Sequence, residues 1–220
     1  MPLNPQKPLI YLITSGATTA RTTTASEDFA KVLRLAEAAV AAGIDLLQIR
    51  EKNLSARVLY QLAESAAAIT RGSATKLLIN DRADVAAGAG ADGVHLAANS
   101  PPAGVIRRAF GPEFLIGVST HSVTEATEAK TSGADFVVFG PVFETESKVQ
   151  FGDPAGLEQL QKVASTVAPF PVLALGGVEL ENVAACYRAG ARGVAAIRML
   201  NDRMNLDRIV NAVRESFGEQ

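Results

Sequence analysis

A single-domain (β/α)8 barrel is the fold this 220-residue chain predicts, and three observations carry that prediction. First, one junction recurs four times: AGIDLLQIR (42–50), GADGVHL (90–96), SGADFVVFG (132–140) and AGARGVAAI (189–197), the last with Arg192 where the others have aspartate. In each, a small-residue helical segment passes through glycine, which takes the left-handed conformation at a helix C-terminus without a Cβ penalty, into an apolar run. Those runs are nearly continuous Val, Ile, Leu or Phe, as strands buried on both faces read. Second, four more apolar runs, LIYLIT (9–14), KLLIN (76–80), FLIGVS (114–119) and PVLALGG (171–177), bring the strands to eight. Third, helical segments fall between them near 25–41, 55–71, 82–89, 101–110, 122–132, 156–167, 179–189 and 205–217. Strict alternation at this length points to a compact barrel. An open doubly wound sheet is the rival. It is disfavoured because no G-x-G-x-x-G follows the first strand and polar residues follow nearly every strand instead of clustering at one switch point.

In such a barrel chemistry belongs to the C-terminal strand ends. Strand 1 opens into residues 15–26, a Ser/Thr/Ala-rich loop free to move. Strand 2 ends in Gln48, Arg50 and Lys52, whose spacing of two puts all three on one side if the strand extends that far. They read as a polar-ligand contact and a cationic phosphate clamp, or Arg50 and Lys52 are solvated charges paired with Glu51. Strand 3 ends in Asn80 and Asp81, which either cap the helix at RADVAAG or, for the carboxylate, hold Mg²⁺ beside a phosphate clamp. His95 in strand 4 alternates with apolar neighbours and reads as a hydrogen-bonded core residue. Past strand 5 come Ser119 and His121, the latter placed as a general acid or base near pH 7 or as a capping and packing residue.

After strand 6 the segment 140–156 carries Thr145, Ser147 and Lys148, a hydroxyl-rich loop with one lysine that suits a phosphate lid. Strand 7 ends in Gly176-Gly177, either an ordinary turn or a place where backbone N–H groups approach a phosphate closely. Strand 8 ends in Ile197 and Arg198, and the loops after strands 7 and 8 often build a phosphate site in this architecture. The pattern suggests two anionic subsites, one near strands 2 and 6 and one near strands 7 and 8.

Composition narrows the function. With 48% hydrophobic residues, residues 1–220 suffice for one sizeable core. A balance of 21 basic against 23 acidic residues gives no bulk attraction to nucleic acid or an anionic membrane, although local basic clusters can still bind phosphate; the two anionic subsites point to small phosphorylated molecules as partners, with a homo-oligomer possible. The one cysteine, Cys186, lies in a small-residue helical stretch and reads as a buried thiol in a reducing compartment. No apolar run reaches spanning length, and the expectation is a cytoplasmic protein.

The segments QIREK (48–52), LLINDRADVA (77–86), ADGVHL (91–96), GVSTHS (117–122), FGPVFETESK (139–148) and ALGGV (174–178), in this order, resemble the thiamine phosphate synthase superfamily over almost the whole chain. That superfamily contains the synthase, which couples a pyrimidine diphosphate to a thiazole phosphate, and the TenI-type thiazole tautomerase, which isomerises the thiazole phosphate. For the synthase the resemblance implies that Gln48 and Asn80 face the pyrimidine or its diphosphate. Arg50, Lys52, Ser119, Thr145, Ser147 and Lys148 would bind the diphosphate, Asp81 would bind Mg²⁺, and Gly176-Gly177 with Ile197 and Arg198 would hold the thiazole phosphate. Two departures stand out. The family usually has a second metal carboxylate after strand 4, and this chain reads Ala97-Ala98-Asn99-Ser100, which implies a weakly held metal. Arg198 stands where the family usually offers a serine. The missing carboxylate, the phrase VFET at 142–145 and His121 resemble the tautomerase, whereas Gln48, Lys52 and Asp81 resemble the synthase, which is the reading preferred. A Schiff-base lyase or aldolase using Lys52 or Lys148, and a non-catalytic phospholigand-binding barrel, are more distant alternatives.

Overall fold

The computed structural model describes residues 7–145 and 154–218. Strands β1 (Leu9–Ile13), β2 (Leu46–Ile49), β3 (Lys76–Asn80), β4 (Gly93–Leu96), β5 (Leu115–Thr120), β6 (Phe136–Phe139), β7 (Val172–Ala174) and β8 (Gly193–Ala196) alternate with helices α1 (Glu27–Ala41), α2 (Ala56–Thr70), α3 (Ala83–Ala89), α4 (Ala103–Phe110), α5 (Val123–Thr131), α6 (Gly156–Val167), α7 (Leu180–Arg188) and α8 (Leu206–Gly218). All neighbouring strands pair in parallel, and β8 returns to β1 through Leu9↔Gly193 to close the barrel. Every expected strand and helix is present. Among the described residues the one addition is a 3₁₀ turn, Met199–Asn201, before α8.

The recurring junction has a uniform physical cause. Gly43, Gly90, Gly133 and Gly190 all have positive φ, between 70° and 91°. In each case the glycine N–H and the next N–H turn back onto the helix, as in Gly43 N–H to Val40 O (3.1 Å) and Ile44 N–H to Ala39 O (2.9 Å), which satisfies carbonyls the helix end would leave open. The aspartate that follows has its own task. Asp45, Asp92 and Asp135 accept the backbone N–H of Ile10, Leu77 and Ile116 at 3.0, 2.8 and 2.7 Å, one residue on each of β1, β3 and β5. Each also faces a cation, Lys7, Lys76 and Arg107 respectively, at 2.6 to 2.7 Å. The fourth repeat has no carboxylate, and Arg192 instead lies over the Phe217 ring of α8 at 5.6 Å.

Strand alternation divides the apolar side chains into two cores. Ile10, Leu12, Leu47, Ile79, Val94 and Phe139 point outward and pack with the helices. Leu9, Tyr11, Ile13, Leu46, Leu78, Phe136, Val138, Leu173 and Ala195 fill the barrel. Cys186 is fully buried and burial raises its thiol pKa to about 12, as expected of an inert core cysteine. Among the described residues no helix is long and apolar enough to cross a membrane.

Candidate active site at the C-terminal mouth

The same inward alternation that buries Leu46 carries Gln48 and Arg50 to the mouth of the barrel. Gln48 is 1% exposed and its Nε2 donates to Tyr11 Oη at 2.7 Å. Burial raises the Tyr11 phenol pKa, so the hydroxyl stays protonated. Arg50 is half-buried just past β2, with its backbone N–H donating to Thr14 Oγ1 at 2.8 Å. Lys52 does not share their alignment, because β2 stops at Ile49 and Lys52 lies exposed in the turn beyond it.

The expected pairing of Glu51 with Arg50 and Lys52 does not occur. Glu51 is 3% exposed and its carboxylate accepts Gly16 N–H (3.2 Å), Thr18 N–H (3.1 Å) and Thr18 Oγ1–H (2.6 Å). Asn53 donates to Thr18 O at 3.2 Å, and Thr22 Oγ1 donates to Asp28. The 15–26 loop, expected to be free, is therefore fastened to the end of β2 and to α1.

At the end of β3, Asn80 registers with His95 and the chain then turns through Asp81 with φ of 64°, the only positive φ among described non-glycine residues. Such a conformation costs about 1–3 kcal/mol and persists where surroundings over-determine it. Here Asp81 N–H donates to His95 O at 2.8 Å, and its carboxylate accepts the Ser100 hydroxyl. Neither Asn80 nor Asp81 caps α3: the N-cap is Arg82, and no side chain caps that end. The capping interpretation of this pair is thus corrected.

His95 is 3% exposed and sits in the barrel against the rings of Tyr11 and Phe136. Burial first, and the nearby Arg50 charge second, lower its pKa to about 3, so it is neutral at pH 7. Its Nε2 lies 2.9 Å from Ser119 Oγ, and its Nδ1 has no partner among the described residues. Gly117 makes room for this ring: a Cβ there would fall 2.4 Å from Phe136 Cζ and 2.9 Å from His95 Nδ1. His121 is exposed one residue past β5. Its Nδ1 bonds to Gly140 O; because a carbonyl only accepts, Nδ1 carries a proton in this contact, which leaves Nε2 facing outward.

Across the mouth, the ends of β6, β7 and β8 enclose a cavity of about 370 Å³ lined by Thr145, Gly176, Gly177, Ile197 and Arg198. Thr145, expected with the strand-2 clamp, thus joins the strand-7 and strand-8 group. Ser147 and Lys148 lie outside the described residues. The diglycine is a close-approach device. Gly177 has φ of 61°, and a Cβ on it would meet Glu144 O at 2.4 Å. Phe143 N–H donates to Gly176 O at 3.0 Å, which seats the strand-6 loop on the turn. Ser15, Glu144 and Glu179 also line this cavity and were not singled out in the sequence, since nothing distinguishes them from solvated loop residues.

A closed parallel barrel with an arginine, a strained aspartate, a neutral histidine holding a serine, and a glycine-walled cavity at its C-terminal mouth defines a small-molecule enzyme of the (β/α)8 class. The chain belongs to the thiamine monophosphate synthase family, whose model matches residues 11–200. It is 45% identical over 163 residues to a thiamine-phosphate synthase of Methanoculleus marisnigri, covering 74% of this chain and 77% of that one. A thiamine-phosphate synthase of a Roseiflexus species is 42% identical over 163 residues, covering 74% and 69% of the two chains. The solved thiamine phosphate pyrophosphorylase of Pyrococcus furiosus superposes with a TM-score of 0.78 at 28% identity, over 98% of both chains.

Proposed function

We propose that this chain is a thiamine-phosphate synthase, which joins 4-amino-2-methyl-5-hydroxymethylpyrimidine diphosphate to thiazole phosphate and releases diphosphate. The family match across residues 11–200 carries the reading. The placement of Arg50, Asp81 and Ser119 at one barrel mouth supports it. In the reaction the C–O bond to diphosphate breaks with its electron pair leaving on oxygen, a pyrimidine-methyl cation forms, and the thiazole nitrogen lone pair closes the new C–N bond. No protein nucleophile is needed. The requirement is positive charge where the diphosphate departs, and this is the role of Arg50, joined by Lys52 and Lys148. Ser119 donates to the same anion, held in place by the neutral His95. Gln48 and Asn80 orient the pyrimidine, Thr145 and Ser147 add hydroxyl contacts from the strand-6 loop, and Gly176, Gly177, Ile197 and Arg198 receive the thiazole phosphate.

Mg²⁺ belongs at Asp81. The donors at that corner are one carboxylate and the Ser100 hydroxyl bound to it, and no group of three or more His, Cys, Asp or Glu among the described residues could hold a metal. Such a set fits an ion that takes its remaining ligands from diphosphate and water. When bound, the metal supplies Lewis acidity to the leaving diphosphate. The thin donor set also favours a second reading, a thiazole tautomerase in which the Nε2 of His121 moves the proton. One experiment separates them: both phosphorylated substrates are supplied with and without Mg²⁺, and thiamine phosphate is followed by product analysis. Catalytic formation of thiamine phosphate is the expected result. Isomerisation of the thiazole carboxylate phosphate without coupling would replace the synthase reading with the tautomerase.

A further inference from the structure

Backbone pairing alone does not seal the seam where the barrel closes. On its β2 side, β1 stays paired to its end, with Ile13 opposite Gln48 and Thr14 N–H donating to Gln48 O at 3.0 Å. On its β8 side the register stops one residue earlier, at Leu12↔Ala196. The next carbonyl on each strand, Ile13 O and Ile197 O, is taken by one side chain: Asn201 Nδ2 donates to both, at 2.8 and 2.7 Å. Its Oδ1 accepts Ser15 N–H at 3.1 Å. Only this orientation of the amide works, because the two carbonyls only accept and the Ser15 N–H only donates. Asparagine supplies two donors and an acceptor from one short planar group, and serine, aspartate or an apolar residue cannot replace all three.

The residues fixed in this way belong to the wall of the cavity proposed for the thiazole phosphate. Ser15, Ala196, Ile197 and Arg198 line it together with Gly176 and Gly177. Asn201 lies behind that wall and lines the neighbouring cavity beside α1. Its backbone N–H returns to Ile197 O at 3.1 Å and to Arg198 O at 3.4 Å, and the fully buried Leu200 anchors the turn. We infer that Asn201 is a positioning residue for the phosphorylated ligand of the mouth: it sets Ser15, Ile197 and Arg198 as one wall without touching the ligand. Ligand-binding groups must be held to within about 0.5 Å of their working geometry, and an amide with both donors and its acceptor engaged removes the freedom of a loop to drift from it. The inference rests on the reading of this cavity as the thiazole phosphate site. It holds for synthase and tautomerase alike, since both take a thiazole phosphate.

The test is calorimetric titration of the full chain with thiazole phosphate, beside a thermal melt of each variant. Asn201→Leu keeps the bulk and removes all three side-chain hydrogen bonds, and should weaken thiazole phosphate binding about tenfold or more, the scale on which a small misplacement of binding groups acts. Asn201→Ser keeps one hydroxyl and is the milder change, expected to weaken binding about threefold. It decides the question if Asn201→Leu does not fold. Asp45→Ala, at the opposite end of the barrel, lowers stability without reaching the cavity and should leave the affinity unaltered. An affinity unchanged by the Asn201 substitutions overturns the inference alone. An equal loss in Asp45→Ala does the same, because the effect would then be one of general stability. If the unsubstituted protein does not bind thiazole phosphate, the reading of the cavity fails and the inference with it, so the two failures are told apart.

Discussion

At the N-terminal end of the barrel Asp45, Asp92 and Asp135 each hold a strand N–H and face a cation, whereas at the C-terminal end Asp81 stands at φ 64° and His95 keeps a buried nitrogen with no partner among the described residues. The same kinds of residue serve opposite ends differently. Below, each charge closes a hydrogen-bonding account that the junction leaves open, which stabilises the fold and uses the carboxylate completely. Above, polar groups are held in position by few contacts and retain unused valence, which is what a ligand site requires. Substitutions at the two ends should therefore separate activity from stability.

The largest expected effect is at the top. Arg50→Ala should lower kcat for pyrimidine coupling about 10²–10³-fold, the usual scale for removing one group that stabilises developing charge. Its melting temperature should change little, because no ion pair of Arg50 contributes to the fold among the described residues. Steady-state kinetics beside a thermal melt would check both. An unchanged kcat would remove Arg50 from the clamp and blur the distinction between the two ends.

The opposite result is expected below. Asp45 is 7% exposed, accepts Ile10 N–H, and faces Lys7 at 2.6 Å and Arg214 at 3.7 Å. Asp45→Ala leaves those donors and charges unmatched and should cost about 3 kcal/mol, at the low end for breaking a buried pair. Urea unfolding would show it as a lower midpoint with an unchanged slope, and kcat should stay within about twofold of the parent since the site is at the other end of the strands.

This contrast also explains what the sequence disclosed. The junction was legible because it repeats: glycine needs the left-handed turn and aspartate needs the strand N–H, so both recur in Gly43-Ile44-Asp45 and Gly133-Ala134-Asp135. Polar residues placed by strand alternation, such as Gln48, Arg50, His95 and Ser119, were legible for the same reason. What depended on loops was not. Lys52 left the strand's alignment because β2 ended sooner than the spacing assumed, and Thr145 joined the strand-7 cavity because the diglycine draws the strand-6 loop across. Ser15 and Asn201 gave no signal, since their partners are 186 residues apart in sequence.

The neutral His95 predicts a pH effect. Its folded pKa of about 3 lies below the ordinary 6.5, so as pH falls through 6.5 the unfolded chain takes up a proton that the native protein does not. Stability from this group is complete above about pH 6.5 and should be lost at about 1.4 kcal/mol per pH unit down to pH 3. His95→Gln should flatten that part of the stability profile measured by urea denaturation between pH 7 and 4. An identical slope in the variant would assign the acid sensitivity to other groups.

The smallest effect belongs to Glu51, the residue that crosses the comparison. It stands at the site end, between Arg50 and Lys52 in sequence, yet its carboxylate is used as fully as those at the bottom, with three donors from Gly16 and Thr18. If that accounting governs its role, Glu51→Gln keeps the shape and exchanges charge-assisted hydrogen bonds for neutral ones, costing about 1 kcal/mol. The loss should be local, because the bonds fasten one loop and do not span the core. Amide exchange at Gly16 and Thr18 should therefore speed up about fivefold, as about 1 kcal/mol of local opening implies, while the β-strand amides keep their protection. If Glu51 instead served as a counter-charge to Arg50 and Lys52, the same substitution would leave loop exchange unchanged and alter the salt dependence of diphosphate binding.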